Sequence, residues 1–380
     1  MSTNALILSG GGARASYQVG VLQAVADILP HLHNPFPIIC GASAGAINAA
    51  VLAAHPGSYR NAALDLANTW RNLEIDQVFR TGWWPLCSGL GKVVASIFNE
   101  GISRNRPLAL LDNSPLRALL THLISLDNLE KKIAAGDLEA LSITAMGYNS
   151  GESVSFFQGN TALPGWRRYR RVGVPATITI DHLLASSAIP TIFPTVKLSK
   201  EYFSDGAMRQ MAPISSALHL GANRVFIIGV SRNRQVGEQW GRRQLRVRHS
   251  PSVAQIMGQM LNSVFIDALE GDIEHLMRVN DLLDLSQGQR NDKTRQLRPV
   301  DTLIISPTKS LDKIAGRKVR HMPRSLRFFM RRIGATAKSG GSAAASYLLF
   351  TPEFCNELID LGYQDAMWER DKIEAFFATV

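Results

Sequence analysis

Short apolar runs alternate with helical patterns over the first 60 residues. Residues 5–9 and 37–40 are apolar runs that each stop at glycine, which is typical of buried strands. Between them, from Ser16 to Pro30, apolar residues recur at helical spacing, and residues 44–54 form a second helical pattern of small side chains. This strand–helix–strand–helix order predicts a parallel sheet covered by helices on both faces.

The same patterns predict the elements that follow. Helices are expected over residues 64–73 and 115–124, from near Asp181, near Pro213 and after an N-cap at Ser250, and strands over 141–148, 153–158, 224–230 and 301–307. Residues 149–151 predict a hairpin turn, residues 81–91 an irregular connection and residues 338–342 a flexible joint.

Composition narrows the class of protein. Of the 380 residues, 46% are hydrophobic and 19% charged, which suits a large buried core and excludes a disordered chain. The three cysteines are too few and too far apart for a disulfide framework or a zinc ribbon. No signal peptide is recognisable, and proline and glycine interrupt the uncharged stretch 28–59, so no spanning helix is expected. We therefore expect a cytoplasmic protein, with peripheral attachment to the inner membrane face as a further expectation.

Positive charge is concentrated in the second half of the chain. Residues 1–160 carry 10 Lys and Arg against 11 Asp and Glu, whereas residues 161–380 carry 31 against 20. Most of the excess lies in the segments 166–171, 232–249 and 313–332. Such a surface either binds an anionic partner, a membrane or a nucleic acid, or is only a solvated face. Residues 317–333 interleave arginine with Leu and Phe, as in helices that lie on anionic bilayers, so nucleic acid is the disfavoured partner.

A G-x-S-x-G sequence, residues 41–45, stands between the second strand and the helix that follows it. That context is typical of a nucleophile elbow, a sharp turn that lifts a serine out of the sheet and places it at a helix N-terminus. The helix dipole and free N–H groups there favour a developing negative charge. Ser43 is therefore the candidate nucleophile.

The glycine-rich turn after the first strand has two interpretations. Gly10, Gly11 and Gly12, with Arg14, can offer N–H donors and a positive charge to an oxyanion. The same residues satisfy G-x-G-x-x-A, the dinucleotide fingerprint, but no acidic residue ends the second strand to hold a ribose. We favour the oxyanion interpretation. Both turns follow neighbouring strands, so we expect them to meet in one crevice.

A nucleophilic serine needs a base. None of the nine histidines stands in a context that singles it out, and His182 and His219 fall in helical patterns. Asp205, in the Asp-Gly-Ala sequence 205–207, is the conspicuous acid because a strand pattern precedes it. Asp-Gly is also an ordinary turn sequence, so this pattern alone does not assign the base.

Four segments in a fixed order resemble the patatin-like phospholipase family: SGGGARASYQVGVL (9–22), GASAG (41–45), ASSAIPTIFPTV (185–196) and DGA (205–207). The resemblance implies that Gly10, Gly11, Gly12 and Arg14 form the oxyanion hole, that Ser43 is the nucleophile and that Asp205 is its base, with no histidine. Alanine at 207, where the family often has glycine, is a tolerated variant. An ordinary α/β-hydrolase fold, which orders its residues Ser, Asp, His, fits this chain less well.

We therefore predict an α/β protein: a three-layer α/β/α patatin-like sheet over residues 1–235, extended by a mostly helical C-terminal region over residues 236–380. The predicted function is a serine lipid acyl hydrolase, of the phospholipase A or lysophospholipase type, that cleaves phospholipid or lysophospholipid through an acyl-serine. An acyltransferase or general esterase on the same dyad is the alternative within the class, and a nucleotide- or nucleic-acid-binding protein is the alternative outside it. No cofactor and no metal are expected.

Overall fold

The computed structural model describes residues 3–98, 109–208, 214–231, 250, 252–263, 268–285, 298–332, 334 and 342–378. Its strands are β1 (Asn4–Leu8), β2 (Ile38–Ala42), β3 (Ala140–Gly147), β4 (Ser153–Gly159), β5 (Trp166–Arg168), β6 (Arg171–Pro175), β7 (Val196–Leu198), β8 (Glu201–Asp205), β9 (Arg224–Ile228) and β10 (Asp301–Ile305). The helices that precede β3 are α1 (Ser16–Ile28), α2 (Ala44–Ala54), α3 (Tyr59–Arg71), α4 (Ile75–Val78), α5 (Trp83–Phe98), α6 (Ser114–Leu123) and α7 (Leu126–Ala135). Those that follow are α8 (Ile180–Ser186), α9 (Ile214–His219), α10 (Val253–Asn262), α11 (Ala268–Leu285), α12 (Leu311–Lys318), α13 (Arg324–Arg332), α14 (Ser342–Leu348), α15 (Pro352–Trp368) and α16 (Arg370–Ala378).

One mixed sheet forms the centre of the molecule. Its strands lie in the order β10-β9-β1-β2-β3-β4-β6-β5, and β8 pairs with both β3 and β7. The strands β10, β9, β1, β2 and β3 are parallel neighbours, whereas β4 and β8 run antiparallel to β3. Every residue of β1, β2 and β9 is buried, as their apolar sequences predict for strands covered on both faces. The predicted α/β class, with helices flanking the sheet, is confirmed.

The strand order changes direction at β1. The chain continues from β1 to β2 and β3 on one side, whereas β9 and β10 lie on the other side. In open α/β sheets a crevice forms at such a point, outside the carboxyl ends of the strands. The glycine-rich turn after β1 and the turn after β2 both begin at this edge, as the sequence predicts.

Most local predictions agree with the structure, and two do not. The β3–β4 hairpin and the bounds of α2 are as predicted. The prediction of an irregular connection over residues 81–91 is wrong. Helix α5 begins at Trp83, and the side chain of Leu86 in its first turn is buried. The N-cap of α10 is Ser252, which accepts a hydrogen bond from Gln255 N, and not Ser250. Segment 232–249 and residues 338–341 of the predicted joint lie outside the described residues.

The C-terminal region contributes to the same sheet and to the same helical layers. Strand β10 pairs with β9, and α15 lies along α1. The two helices touch backbone to backbone, since a Cβ at Gly362 would lie 2.1 Å from Tyr17 O. Tyr17 Oη donates to Asp365 Oδ2 at 3.0 Å, and Thr308 Oγ1 donates to Asp365 Oδ1 at 2.7 Å. The boundary at residue 235 stays a prediction of domain organisation.

Two of the three basic segments are described. Segment 166–171 spans β5 and the start of β6, and segment 313–332 spans α12 and α13.

Across the described ranges, no helix combines the length and the apolar character needed to span a bilayer.

The close contact of α15 with α1 predicts the effect of one methyl group. We expect Gly362→Ala to lower the free energy of unfolding by about 1–3 kcal/mol, because the new Cβ meets backbone that cannot rotate away. The control is Gly271→Ala in α11, where no atom lies within 4 Å of the added Cβ, and it should be neutral or stabilise by up to about 1 kcal/mol. Urea unfolding measures the free energy of unfolding of both variants, and equal effects would contradict the close contact between α15 and α1.

Candidate active site

Ser43 occupies a sharp turn between β2 and α2. It has φ 55° and ψ −133°, a conformation that is rare for a residue with a side chain, and it precedes the first residue of α2. The glycines of the motif allow the turn, since a Cβ at Gly41 would lie 2.5 Å from Gly45 O, and one at Gly45 would lie 2.4 Å from Leu8 O. The strand–turn–helix context that the G-x-S-x-G pattern predicts is present.

Asp205 lies directly beside Ser43. Ser43 Oγ donates a hydrogen bond of 2.6 Å to Asp205 Oδ2. Asp205 ends β8, which pairs with the end of β3, and β3 is the neighbour of β2. This pairing brings together two residues that are 162 positions apart in the chain. Ser43 is 2% exposed and Asp205 is 0% exposed, so the contact is shielded from water.

Burial dominates the electrostatics of Asp205. It raises the pKa of this carboxyl to about 7, and the hydrogen bonds from Ser43 Oγ and from Ala207 N, at 2.9 Å, oppose the rise. No Lys, Arg or His of the described ranges forms an ion pair with Asp205. A carboxyl with a pKa near neutrality can accept a proton and also return it.

The end of α8 and the residues that follow it hold both members of the pair in place. Ser186 Oγ accepts a 2.9 Å hydrogen bond from Ser43 N and donates at 2.6 Å to Thr144 O. Asp205 N donates to Ala188 O at 2.9 Å. Residues 186 and 188 belong to the ASSAIP segment, for which the sequence had suggested no role. They therefore position the Ser43 turn and the end of β8.

The glycine-rich turn after β1 borders the same site. Gly12 has φ +56°, and a Cβ there would lie 2.3 Å from Tyr347 O, so only glycine fits. Arg14 N donates to Gly11 O at 3.2 Å and closes the turn. The N–H groups of Gly11 and Gly12 take part in no hydrogen bond formed among the described residues. Gly10 is buried in the same turn.

The guanidinium of Arg14 is engaged by the C-terminal region. It is buried, forms an ion pair with Asp312, donates to Ser346 Oγ at 2.7 Å and to Asn262 Oδ1 at 3.2 Å, and lies 4.0 Å from the ring centroid of Tyr347. These partners differ from the sequence-based expectation, in which the charge of Arg14 is offered to an oxyanion. They suit a positioning role, in which Arg14 ties the glycine turn to α10, α12 and α14.

The two histidines near these segments have other partners. His182 Nδ1 lies 2.9 Å from Thr179 Oγ1, and His219 Nδ1 lies 2.7 Å from Ser215 O. Neither ring contacts the serine–aspartate pair. Within the described ranges, no three His, Cys, Asp or Glu side chains are grouped so that they could hold a metal ion.

An apolar cleft of about 690 Å³ opens beside Ser43. Helices α2, α3 and α6 supply much of its wall, including Ile47, Val51, Leu66, Trp70, Leu116 and Leu120. Polar side chains on the wall are few, and they include Ser43 itself and Ser187. The predominantly apolar lining suits a long hydrocarbon chain.

The sequence patterns did not identify the helical residues that line this cleft or the residues that hold Arg14. The helical patterns of α3 and α6 predict buried faces but not what those faces enclose. Asp312 and Ser346 lie about 300 positions or more from Arg14 in the chain and belong to no motif. Of the cleft residues, Gly12 and Ser43 lie in the first two motifs, and Ser187, Ile189 and Phe193 lie in the third.

Fold and site together define the class of protein: an α/β enzyme with a buried serine–aspartate pair at the carboxyl ends of central strands, beside an apolar cleft. The family model for patatin-like phospholipases matches residues 6–218, more than half of the chain. The chain belongs to the patatin-like phospholipase family and is a carboxylic ester hydrolase.

Particular relatives are more distant. The chain is 24% identical over 326 residues to a cGAMP-activated phospholipase of Pseudomonas aeruginosa (strain BWHPSA011 / Pa011), a match that covers 80% of this chain and 84% of the relative. Among solved structures it is similar to human GIVD cytosolic phospholipase A2, with a TM-score of 0.47 and 12% identity, over 100% of this chain and 60% of that one. VipD from Legionella pneumophila matches with a TM-score of 0.34 and 11% identity, over 98% of this chain and 67% of that one. The chain thus spans about 60% of the length of the human protein.

The buried carboxyl predicts a pH-dependent stability. Folding raises the pKa of Asp205 from 3.8 to about 7. The contribution of this carboxyl to the free energy of unfolding is therefore most favourable at acid pH, and it is lost as the pH rises through about 7. Asp205→Asn removes this loss. We therefore expect the melting temperature of the variant, relative to the native protein, to increase from about pH 5 to about pH 8.5.

The control for this prediction is Asp127→Asn, at an exposed position in the first turn of α7. Thermal unfolding at both pH values measures the two variants. A difference between Asp205→Asn and native protein that stays constant with pH would contradict the burial argument.

Proposed function

We propose that the chain is a serine lipid acyl hydrolase of the phospholipase A or lysophospholipase type, working through Ser43 and Asp205. The observation that carries the proposal is the 2.6 Å hydrogen bond between Ser43 Oγ and Asp205 Oδ2 beside an apolar cleft. Ester cleavage by serine requires a hydroxyl in contact with its base. The apolar wall of the cleft suits an acyl chain.

Asp205 acts as base and acid in turn. As Ser43 Oγ attacks the ester carbonyl carbon, Asp205 Oδ2 accepts the hydroxyl proton, and it then donates that proton to the leaving alcohol oxygen of the lipid. In the second half-reaction water gives a proton to Asp205 and attacks the acyl-serine. The proton returns to Ser43 Oγ as the fatty acid leaves. A pKa of about 7 for Asp205 supports this exchange near neutral pH.

The turn at Gly10, Gly11 and Gly12 serves as the oxyanion hole in this proposal. The unused N–H groups of Gly11 and Gly12 support it, and the N-terminus of α2 adds its dipole at Ser43. Arg14 acts as a positioning residue. It holds the turn through Asp312 and Ser346 and leaves the oxyanion to the backbone.

The same acyl-enzyme allows other outcomes. If an alcohol replaces water, the chain is an acyltransferase, and if small esters enter, it is a general esterase. The apolar lining of the cleft favours a long acyl chain over a small ester. The excess of positive charge supports an anionic membrane as the surface where the lipid is met. Steeply salt-dependent binding to RNA or DNA would instead favour the nucleic-acid alternative.

A fluorophosphonate probe tests the dyad. We expect it to label Ser43 in native protein and to leave Ser43→Ala unlabelled. In Asp205→Asn, labelling and fatty-acid release from mixed phospholipid vesicles should each slow by about 10²–10⁴-fold, the usual contribution of a general base. Ser187→Ala, which changes another hydroxyl on the wall of the same cleft, is the control and should keep both activities.

The outcomes of this test separate the alternatives. Labelling of Ser43 without release from phospholipid vesicles assigns the acyl-enzyme to small esters or to acyl transfer. Native protein that the probe does not label contradicts the dyad.

The ionisation of Asp205 predicts the pH profile of the reaction. Only the carboxylate accepts the Ser43 proton, so activity should fall as the pH decreases below about 7, where Asp205 becomes neutral. Initial rates of ester hydrolysis between about pH 5 and pH 9 measure the midpoint. Rates that stay constant down to about pH 5 would contradict the raised pKa of Asp205.

A further inference from the structure

Helix α13 has two faces of opposite character. On its inner face Leu326 and Met330 are buried, and with Phe329 and with Leu86 of α5 they line a second apolar cavity. The outer face is exposed at four positions that follow helical spacing: Arg324, Phe328, Arg331 and Arg332. The apolar face therefore holds the helix on the protein, and the arginine-rich face is left to the solvent.

The positive charge of the outer face has few counter-charges nearby. Segment 313–332 contains 8 Lys and Arg and no Asp or Glu, and α5, which contacts α13, contains no Asp or Glu either. Arg317 and Lys318 both pair with Glu357, whereas the three arginines of the outer face form no ion pair with any residue of the described ranges. An anionic partner can therefore approach them without breaking an existing ion pair.

Two exposed tryptophans begin α5 beside this face. The rings of Trp83 and Phe328 meet edge to face with their centroids 5.5 Å apart, and the guanidinium of Arg332 lies 5.0 Å from the Phe328 centroid. Trp83 is 55% exposed and Trp84 is 84% exposed. Exposed indole rings beside arginines are typical of surfaces at a lipid–water boundary. Six residues form this α5–α13 surface: Trp83, Trp84, Arg324, Phe328, Arg331 and Arg332.

The α5–α13 surface is connected to the wall of the catalytic cleft by the segment that leads into α5. Val78 lines the cleft, and the ring of Phe79 packs against Phe193 of the same wall with centroids 5.8 Å apart. Two residues further along, Thr81 O accepts a hydrogen bond from Ser325 Oγ of α13. A partner on this surface therefore lies next to the elements that enclose the cleft.

We propose that the α5–α13 surface docks on an anionic phospholipid bilayer. The arginines pair with lipid phosphates at the membrane plane, and the indole rings of Trp83 and Trp84 enter the boundary between head groups and acyl chains. A nucleic acid also offers phosphates, but the connection to the cleft favours the surface that supplies a lipid ester. The inference rests on the proposed function and deepens it, since it names the face of the protein that meets the lipid.

Cosedimentation with vesicles tests the docking. The protein is the full chain with Ser43→Ala, which has no nucleophile, so binding is measured without hydrolysis. We expect it to bind vesicles of phosphatidylcholine with phosphatidylglycerol much more tightly than vesicles of phosphatidylcholine alone. Changing Arg324, Arg331 and Arg332 to Gln should weaken binding to the anionic vesicles by about tenfold or more.

A charge-matched control separates the surface from net charge. It changes to Gln three arginines that already pair with carboxylates elsewhere on the protein, and it should bind almost as well as the parent: Arg60, Arg71 and Arg370. Equal weakening in the two triple variants would overturn the proposal, as would equal binding to vesicles with and without phosphatidylglycerol.

Quenching by lipids with brominated acyl chains tests whether the indole rings enter the bilayer. These lipids should quench part of the tryptophan fluorescence of vesicle-bound Ser43→Ala protein, and Trp84→Phe should remove part of that quenching. Trp368→Phe is the matched control, because Trp368 of α15 is 87% exposed, and it should leave the quenching unchanged. Quenching that persists in full in Trp84→Phe, or tighter binding to a single-stranded DNA oligonucleotide than to vesicles, would contradict a bilayer as the partner.

Activity distinguishes this proposal from the proposed function. With Ser43 present, the triple Gln variant of α13 should release fatty acid from anionic vesicles about tenfold more slowly, yet hydrolyse a soluble short-chain ester at the native rate. Equal loss on both substrates would contradict docking as the role of the arginines. Native protein that binds anionic vesicles but hydrolyses neither substrate would contradict the proposed hydrolysis and would support the docking surface.

Discussion

The hydrogen bond between Ser43 Oγ and Asp205 Oδ2 is the constraint on which the rest of the structure depends. It joins the turn after β2 to the end of β8, and both groups are shielded from water. A carboxylate in such a place is stabilised only by hydrogen bonds, since no cation in the described ranges pairs with it. The contact therefore needs accurate geometry, which the β3–β8 pairing and the Ser186 hydroxyl provide.

The C-terminal region supports the same site from the other side. Arg14 reaches from the glycine turn into a buried set of partners on α10, α12 and α14, and Tyr347 O covers Gly12 so closely that no side chain fits there. Helix α15 lies against α1, the helix that follows this turn. The conformation of the turn is thus determined by contacts with residues beyond 235 as well as by its own glycines.

Helix α14 links the two apolar spaces of the molecule. It contributes Ser346 to the partners of Arg14, Tyr347 to the catalytic cleft, and Ala344 and Leu348 to the second cavity.

The sequence by itself determined the local parts of this protein. Apolar runs and helical spacing predict β1, α1, β2 and α2, and the glycines around Ser43 predict its turn, because these features depend on neighbours within a few residues. The Trp, Pro and Gly content of residues 81–91 predicted an irregular connection. The structure instead has helix α5 from Trp83, with the side chain of Leu86 buried. The family resemblance implied that Asp205 serves Ser43, but only the tertiary structure shows their contact across 162 positions, the pKa of Asp205 near 7, and the ion pair of Arg14 with Asp312. Burial and the approach of distant residues arise from the packing of the whole chain, and no local pattern specifies them.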